Sequence, residues 1–514
     1  MILIKNIRLE KDNMKALKKK ISKELRIDDN FKFEIYRKSI DARRGIVYNY
    51  QVLVDVEIPE KKLAKIKNAS YFEEKNYEIL PPYKDKTITV VGFGPAGIFC
   101  SYILAKYGYK PVIIERGKDV KNRQLDIAEF FRSGKLNEES NIQFGEGGAG
   151  TFSDGKLTAR SKDFRQREVL KILVENGAPK DIMYEQKPHI GTDILMNVMK
   201  NMRQYIISKG GEIHFETKMQ DLIIENELVK EIKTNNGNFS SDVYILALGH
   251  SARDTFYMLK DKIEMENKPF AVGFRIEHPQ KMVNKSQYKI EEESLPKASY
   301  MLTYQAEKYN KGVYTFCMCP GGYVVNASSE EKRLCVNGMS YHARDGRNAN
   351  SAIICTIDEN IYGKNLLDGI KFQREIEEKA FKLGGENFFA PVQKIKDFLE
   401  NKETKELGSV EPTVRPGYTL SKLNNIYPEE ITKSIQDAII NMDKKLHGFA
   451  LEEGILTGVE ARSSSPVRLL RKENLQSTKL NNLYPIGEGA GYSGGIVSSA
   501  IDGIKAAEKI IKGE

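Results

Sequence analysis

The chain has 514 residues, 40% hydrophobic and 29% charged, with 80 Lys and Arg against 71 Asp and Glu for a formal net charge of +9. That length exceeds one ordinary hydrophobic core, so two or three domains are expected, and the composition excludes a disordered chain. The positive excess is modest and dispersed, which argues against a nucleic-acid partner, and no run approaches the ~18 apolar residues of a membrane helix.

Residues 1–80 read as a small α+β unit. MILIKNIRL is strand-like, NMKALKKKISKELR has helical spacing and a basic face, FKFEIYRKSI and YNYQVLVDVEI alternate like paired strands, and EKKLAKIKN reads as a second helix. That β-α-β-β-α order is ferredoxin-like. Some such folds bind RNA, but the central strands lack the aromatic pattern for it, leaving a docking module as the reading. The opening residues lack the apolar stretch of a signal peptide, and PPYKDK at 81–86 reads as a linker.

From residue 87 the pattern becomes βαβ. TITVV is a strand and IFCSYILAKYGYKP a helical run. VIIE is the next strand, and DILMNVMKNMRQYIISKGG a helix before EIHFE. LIIEN, LVKEIKT and SDVYILALG are further strands. Residues 266–450 mix strands (PFAVGFRIE, GVYTFCMC, YVVNAS) with helices (FQREIEEKAFKLG, EEITKSIQDAIINMDKKL) and read as a substrate domain inserted into the first. The nucleotide-binding domain would therefore span 87–265 and 451–514, closing with LYPIGEGAGYSGGIVSSAIDGIKAAEKII. Five sparse cysteines, Cys100, Cys317, Cys319, Cys335 and Cys355, fit a reducing cytoplasm.

Gly92, Gly94 and Gly97 form G-x-G-x-x-G in the context a dinucleotide site requires: a β-branched strand before, a helix after, and Glu115 ending the next strand. Gly92 permits the turn, Gly94 lets backbone approach a pyrophosphate, and Gly97 lets helix and sheet pack closely. The carboxylate of Glu115 can accept from ribose hydroxyls, while helix amides stabilise phosphate charge. Gly145, Gly147 and Gly150 fit the same string with no strand leading into them. Gly489, Gly491 and Gly494 lie between a strand and a helix, but only about twenty residues follow. They are read as completing the site begun at residue 87.

The stretches GFGPAGIF, ERG, QFGEGGAGTFSDGKL, LALGHSARD, FAVGFRIEHPQ, FCMCPGG, VEARSSSPVR and IGEGAGYSGGIVSSAIDG, spanning 90–510, resemble a bacterial family of uncharacterised FAD-dependent (NAD(FAD)-utilizing) dehydrogenases. The resemblance implies an α/β fold. Its parts would be a Rossmann-like FAD-binding domain of the glutathione-reductase type, an inserted α+β substrate domain and the small N-terminal ferredoxin-like domain. It implies that Gly92, Gly94, Pro95, Ala96 and Gly97 hold the pyrophosphate, that Glu115 meets the adenosine ribose, and that Arg116 and Arg123 lie near the AMP half. Gly148, Ala149, Gly150, Thr151, Asp154 and Lys156 would wrap flavin, phosphates or substrate, and the turn at Gly249 would pass near FAD. Gly487 and Glu488 stand where other flavoproteins have Gly-Asp. Backbone from Gly489 through Gly495 to Ile496 would sit beside the flavin, where a helix N-terminus favours an anionic reduced ring.

The implied activity is an FAD-dependent oxidoreductase of unspecified small-molecule substrate, with a hydride or electron pair passing through flavin N5. NAD(P)H would act at most as a transient reductant, since no second complete Rossmann unit exists. An RNA-modifying flavoenzyme and a non-catalytic FAD-binding protein remain alternatives. Arg275, His278, Arg462 and Arg468 suit either anion recognition or salt bridges. His250 reads as a turn residue or a catalytic one. Cys317 and Cys319, on one face of a strand, are spaced C-x-C, unlike the C-x2-C or C-x4-C of flavin disulfide reductases. They read as structural or pocket residues, and no second Cys/His pair completes a metal site.

Overall fold

The computed structural model describes residues 1–73, 77–79, 85–158, 162–290 and 294–513; the expected linker at 81–86 lies outside them apart from residues 85 and 86. The N-terminal unit runs β1 (Ile2–Leu9), α1 (Met14–Leu25), β2 (Lys32–Asp41), β3 (Val47–Asp55), α2 (Glu60–Leu63) and β4 (Ala69–Tyr71). The sheet is antiparallel in the order β2-β3-β1-β4. Asn13 caps α1 by accepting from the Ala16 amide at 3.0 Å, and Leu17, Ile21 and Leu25 bury one stripe of that helix. EKKLAKIKN supplies only the single turn of α2, and β4 is a strand the sequence reading lacks. The unit is tied down through Lys38, whose backbone bonds to Tyr184 and Gln186 while its ammonium bridges Asp12 and Glu185.

The next elements are β5 (Ile88–Val91), α3 (Pro95–Lys106), β6 (Val112–Ile114), α4 (Val120–Ser133), α5 (Arg165–Glu175), α6 (Thr192–Ser208) and β7 (Glu212–His214). A five-stranded parallel sheet has the order Leu483–Pro485, Val243–Leu246, β5, β6, β7. ITVV and VYIL are buried at every residue, as befits strands covered on both faces. Helix α3 is apolar nearly all round, and Ile496–Lys512 packs along it. The contact is close because a Cβ on Gly503 would lie 2.2 Å from the Ala96 carbonyl oxygen. Met219–Glu225, Leu228–Thr234 and Gly237–Phe239 form a separate antiparallel sheet.

The second lobe is a seven-stranded sheet in the order Thr303–Ala306, Lys311–Cys319, Asn348–Ile357, Phe270–Pro279, Ile455–Glu460, Ala390–Lys394, Tyr418–Leu420. Ile455–Glu460, buried throughout, pairs with both Phe270–Pro279 and Ala390–Lys394, so this sheet continues past the boundary expected at 450. A register shift between Phe316 and Cys319 gives Cys317 a φ of +44°. The expectation that Cys317 and Cys319 share a face therefore fails, because the bulge turns Cys317 into the open while Cys319 stays buried. Among the described residues no helix is long and apolar enough to cross a membrane.

Candidate functional site

A cleft of about 1720 Å³ opens where the C-terminal ends of the parallel strands face the seven-stranded sheet. This is where open parallel sheets place their ligands. Val91, Ile114, Ala247 and Ile486 mark four strand ends along its floor. The volume exceeds the ~300–1,000 Å³ typical of one small-molecule pocket, so the cleft has room for two ligands.

Of the residues expected at a cofactor, Gly92, Gly94, Pro95, Ala96, Glu115, Arg116, Gly148, Ala149, Gly150, Asp154, Lys156, Gly249, Gly487, Glu488, Gly495 and Ile496 all line this cleft. The glycines divide into two kinds. A Cβ on Gly97 would stand 2.0 Å from the Gly92 oxygen, and one on Gly489 2.4 Å from the Gly249 oxygen, so these two pack the fold from behind. By contrast, a Cβ on Gly94 meets only the Gly148 Cα at 3.7 Å, and one on Gly249, Gly494 or Gly495 meets nothing within 4 Å. Those bare backbones face open space. Gly94 and Gly495 are also the N-caps of α3 and of Ile496–Lys512, so two helix N-termini with unsatisfied amides open onto one cavity.

Glu115 is nearly buried and pre-set. Its carboxylate accepts the amides of Phe93 (2.8 Å), Gly117 (2.9 Å) and Gly145 (3.0 Å). A carboxylate has about four lone-pair positions, so roughly one is left for a ligand hydroxyl. Arg116 lies beside it, held by Glu139 (2.6 Å) and Asp254 (2.9 Å) and stacked on Phe144.

Arg123 requires a correction. It is wholly buried and away from the cleft wall, and its guanidinium is consumed by the carbonyls of Asn141 (2.7 Å), Ile142 (2.8 Å), Glu146 (2.7 Å) and Gly148 (3.0 Å). Burial pushes it down to about 9. It pins the loop that carries the Gly145–Gly150 backbone, so its effect on a ligand is indirect. Thr151 is likewise off the wall, its carbonyl accepting the Thr192 hydroxyl at 2.7 Å.

In the closing segment Glu488 Oε1 lies 3.4 Å from His250 Nδ1, and His250 Nε2 is buried on the wall with no partner. Asp502, unremarked in the sequence, accepts the Gly487 amide at 2.7 Å and is gripped by both terminal nitrogens of Arg471. An acid two helical turns past a glycine-rich cap is the signal that would have found it.

At the far end Asp154 bonds to Ser340, to Arg344 (2.5 and 3.0 Å) and to Lys156 (3.2 Å). Burial alone would raise its carboxyl, but Lys156 and Arg344 outweigh that and hold it well below the usual range. Cys317 faces the cleft, although the surrounding protein pushes its thiol up to about 12. Of the residues read as anion-recognising or salt-bridging, Arg275 and Arg462 are spent internally. Arg275, fully buried and off the wall, donates to Asn350 (2.8 Å) and the Cys317 carbonyl (2.6 Å) and pairs with Glu460 (3.3 Å). Arg462 edges the cleft but is locked to Glu377 at 2.9 Å through two bonds, and Glu377 also takes Arg253 at 2.6 and 2.8 Å. His278 is fully buried, bonded to the Phe449 carbonyl at 2.8 Å, and Arg468 pairs with Glu266. Arg275 and Arg462 are thus consumed within the protein, and His278 lies off the cleft wall.

Residues 269–463 match the family described as FAD-dependent protein, C-terminal domain-like, and residues 1–55 match a domain of unknown function. A protein of Clostridium beijerinckii (strain ATCC 51743 / NCIMB 8052), described as uncharacterized, is 46% identical over 525 residues, spanning 99% of this chain and 98% of its own. Glycine oxidase from Geobacillus kaustophilus aligns with 83% of this chain and 94% of its own at 9% identity, with a TM-score of 0.38. CtdE in complex with FAD aligns over 82% of each chain at 10% identity and a TM-score of 0.32. Structural likenesses this loose carry no argument.

Proposed function

For a chain that belongs to one family with the uncharacterized Clostridium beijerinckii protein, we propose that the cleft holds FAD and that the protein is an FAD-dependent oxidoreductase. The observation that carries this reading is the convergence of two helix N-termini, 400 residues apart, whose cap glycines Gly94 and Gly495 leave their backbones open to one cavity. Amides so placed suit a pyrophosphate and a developing negative charge. Glu115, oriented by three amides, would hold a ribose hydroxyl, with Arg116 beside the nucleotide half. His250 and Glu488 supply a polar edge on the opposite wall, where the unpartnered His250 Nε2 can bond a bound group. When bound, FAD supplies two-electron redox chemistry toward an organic donor. The second lobe lines the facing wall of the cleft with Tyr300, Met301, Tyr314 and Phe316, an apolar and aromatic surface beside the proposed cofactor.

The test is direct. Protein purified from a flavin-replete host is expected to be yellow and to release FAD, not FMN, on denaturation. Anaerobic addition of NADH, NADPH and a metabolite panel then shows which reductant bleaches it, with NAD(P)H as the candidate transient donor. A colourless protein that takes up no added FAD refutes the reading.

A further inference from the structure

Beyond the nucleotide-binding walls, the far end of the cleft carries a marked charge imbalance. Lys156, Lys187, Arg344 and Lys445 line it, against Asp154 as the carboxylate among them. The nearby Glu460 is matched by the fully buried Arg275. Lys187 donates to the Ser299 hydroxyl at 3.0 Å and Lys445 to the Thr303 carbonyl at 2.6 Å. Among the described residues neither ammonium has a carboxylate within ion-pair distance. Both ammonium groups reach solvent at the cleft's edge; the surrounding protein and then the Arg344 charge nonetheless push Lys187 below the ordinary lysine value. Each cation is also positioned. Asp154 holds Arg344 through two bonds, and Ser299 and the Thr303 carbonyl fix the two lysines. Around them the wall is apolar and aromatic: Tyr300, Met301, Tyr314, Phe316 and Met318. Cations held beside an apolar surface with too few anions suit a ligand that brings the missing charge and an apolar body together.

We propose that this end of the cleft is a subsite for an organic anion, a carboxylate or phosphate on an apolar or aromatic body, and that such an anion is the substrate. Its being the substrate rests on the FAD reading; its binding does not. The cleft's volume, larger than a single ligand requires, provides the space beside the cofactor.

Equilibrium dialysis of the full-length protein as purified tests the proposal with four probes of one shape: benzoate, phenyl phosphate, benzyl alcohol and benzylamine. At least one of the two anions is expected to bind saturably, with benzoate and phenyl phosphate separating the carboxylate from the phosphate preference, while the neutral and cationic probes do not bind. Lys187→Gln and Lys445→Gln, chosen because neither side chain holds the fold through an ion pair, should each weaken that binding by about tenfold. Their circular dichroism and thermal midpoint should stay unchanged. Benzyl alcohol or benzylamine binding as tightly as the anions overturns the proposal. So does no binding of either anion, or unaltered affinity in both variants. Because dialysis reads ligand and not colour, a failure here leaves the FAD reading standing, and a colourless protein fails that reading separately.

Discussion

Alanine at Gly94 and at Gly97, introduced one at a time, separates the cofactor cradle from the scaffold behind it. Gly94 has φ −81° and ψ −174°, a conformation open to any residue, and its new methyl would meet only the Gly148 Cα at 3.7 Å. The apoprotein should then be as stable as wild type, or more stable by up to ~1 kcal/mol through the lost freedom of the unfolded chain. The methyl projects into the cleft, however. An amide-to-phosphate bond of ~2.9 Å cannot coexist with a carbon that needs ~3.5–4.0 Å, so one charge-assisted bond worth ~1.5–3 kcal/mol should be lost. FAD affinity should fall about 10- to 100-fold. Gly97→Ala places its methyl 2.0 Å from the Gly92 oxygen, which is backbone and cannot swing aside. A clash this short against backbone puts overpacking at or above the upper end of the ~1–3 kcal/mol range, and less the ~1 kcal/mol that alanine gains in a helix it leaves a net destabilisation of about 2 kcal/mol. Urea melts of the FAD-free protein followed by tyrosine fluorescence, suitable for a chain with 25 tyrosines and no tryptophan, measure the first quantity. Quenching of added FAD fluorescence measures the second. Wild-type FAD affinity in Gly94→Ala, or wild-type stability in Gly97→Ala, would refute the division of labour.

Burial holds His278 at about 4, below its unfolded value of about 6.5. The unfolded state therefore binds the extra proton between those values, and stability present above pH ~6.5 should be lost at up to ~1.4 kcal/mol per pH unit down to pH ~4. His278→Gln, able to donate to the Phe449 carbonyl, should flatten that slope in pH-dependent urea melts. Glu377 is drawn down to about 2 by Arg253 and Arg462 against the opposing effect of burial. Glu377→Gln strands two buried guanidinium groups and should cost about 3–5 kcal/mol, read as a shifted urea midpoint. Of the five free thiols only Cys317 is exposed, so iodoacetamide should label that one first in the native protein, as mass spectrometry of peptides can show.

Much of the half that carries the parallel sheet was legible because its signals are local. TITVVGFGPAG announces strand, turn and helix through β-branching and glycine spacing, and the structure has β5 and α3 there. What stayed hidden depends on residues playing against type. Helix α4 buries Val120, Arg123, Ile127 and Phe130 at helical spacing, but an arginine in that stripe disguises it in a polar sequence. Asn348–Ile357 begins NANS, polar residues buried at the sheet centre by partners far away in sequence, among them Asn350 against Arg275. The arginines of FRIEHP and ARSSSPVR looked available for ligands because spacing does not reveal counter-charges. Glu460 and Glu377 are brought to them only by tertiary structure. The lysines at the far end of the cleft, with no carboxylate in ion-pair distance among the described residues, escaped notice for the converse reason.

The convergence of residues 92–97, 145–156 and 487–496 on one cavity has a consequence for biosynthesis. While the ribosome is still translating the middle of the message, the first segment is already free to fold into strand and helix. The opposite wall does not yet exist. If the cavity holds FAD as proposed, the complete site exists only once residue 496 has left the exit tunnel, which makes loading a late event and leaves any prematurely terminated product short of one wall.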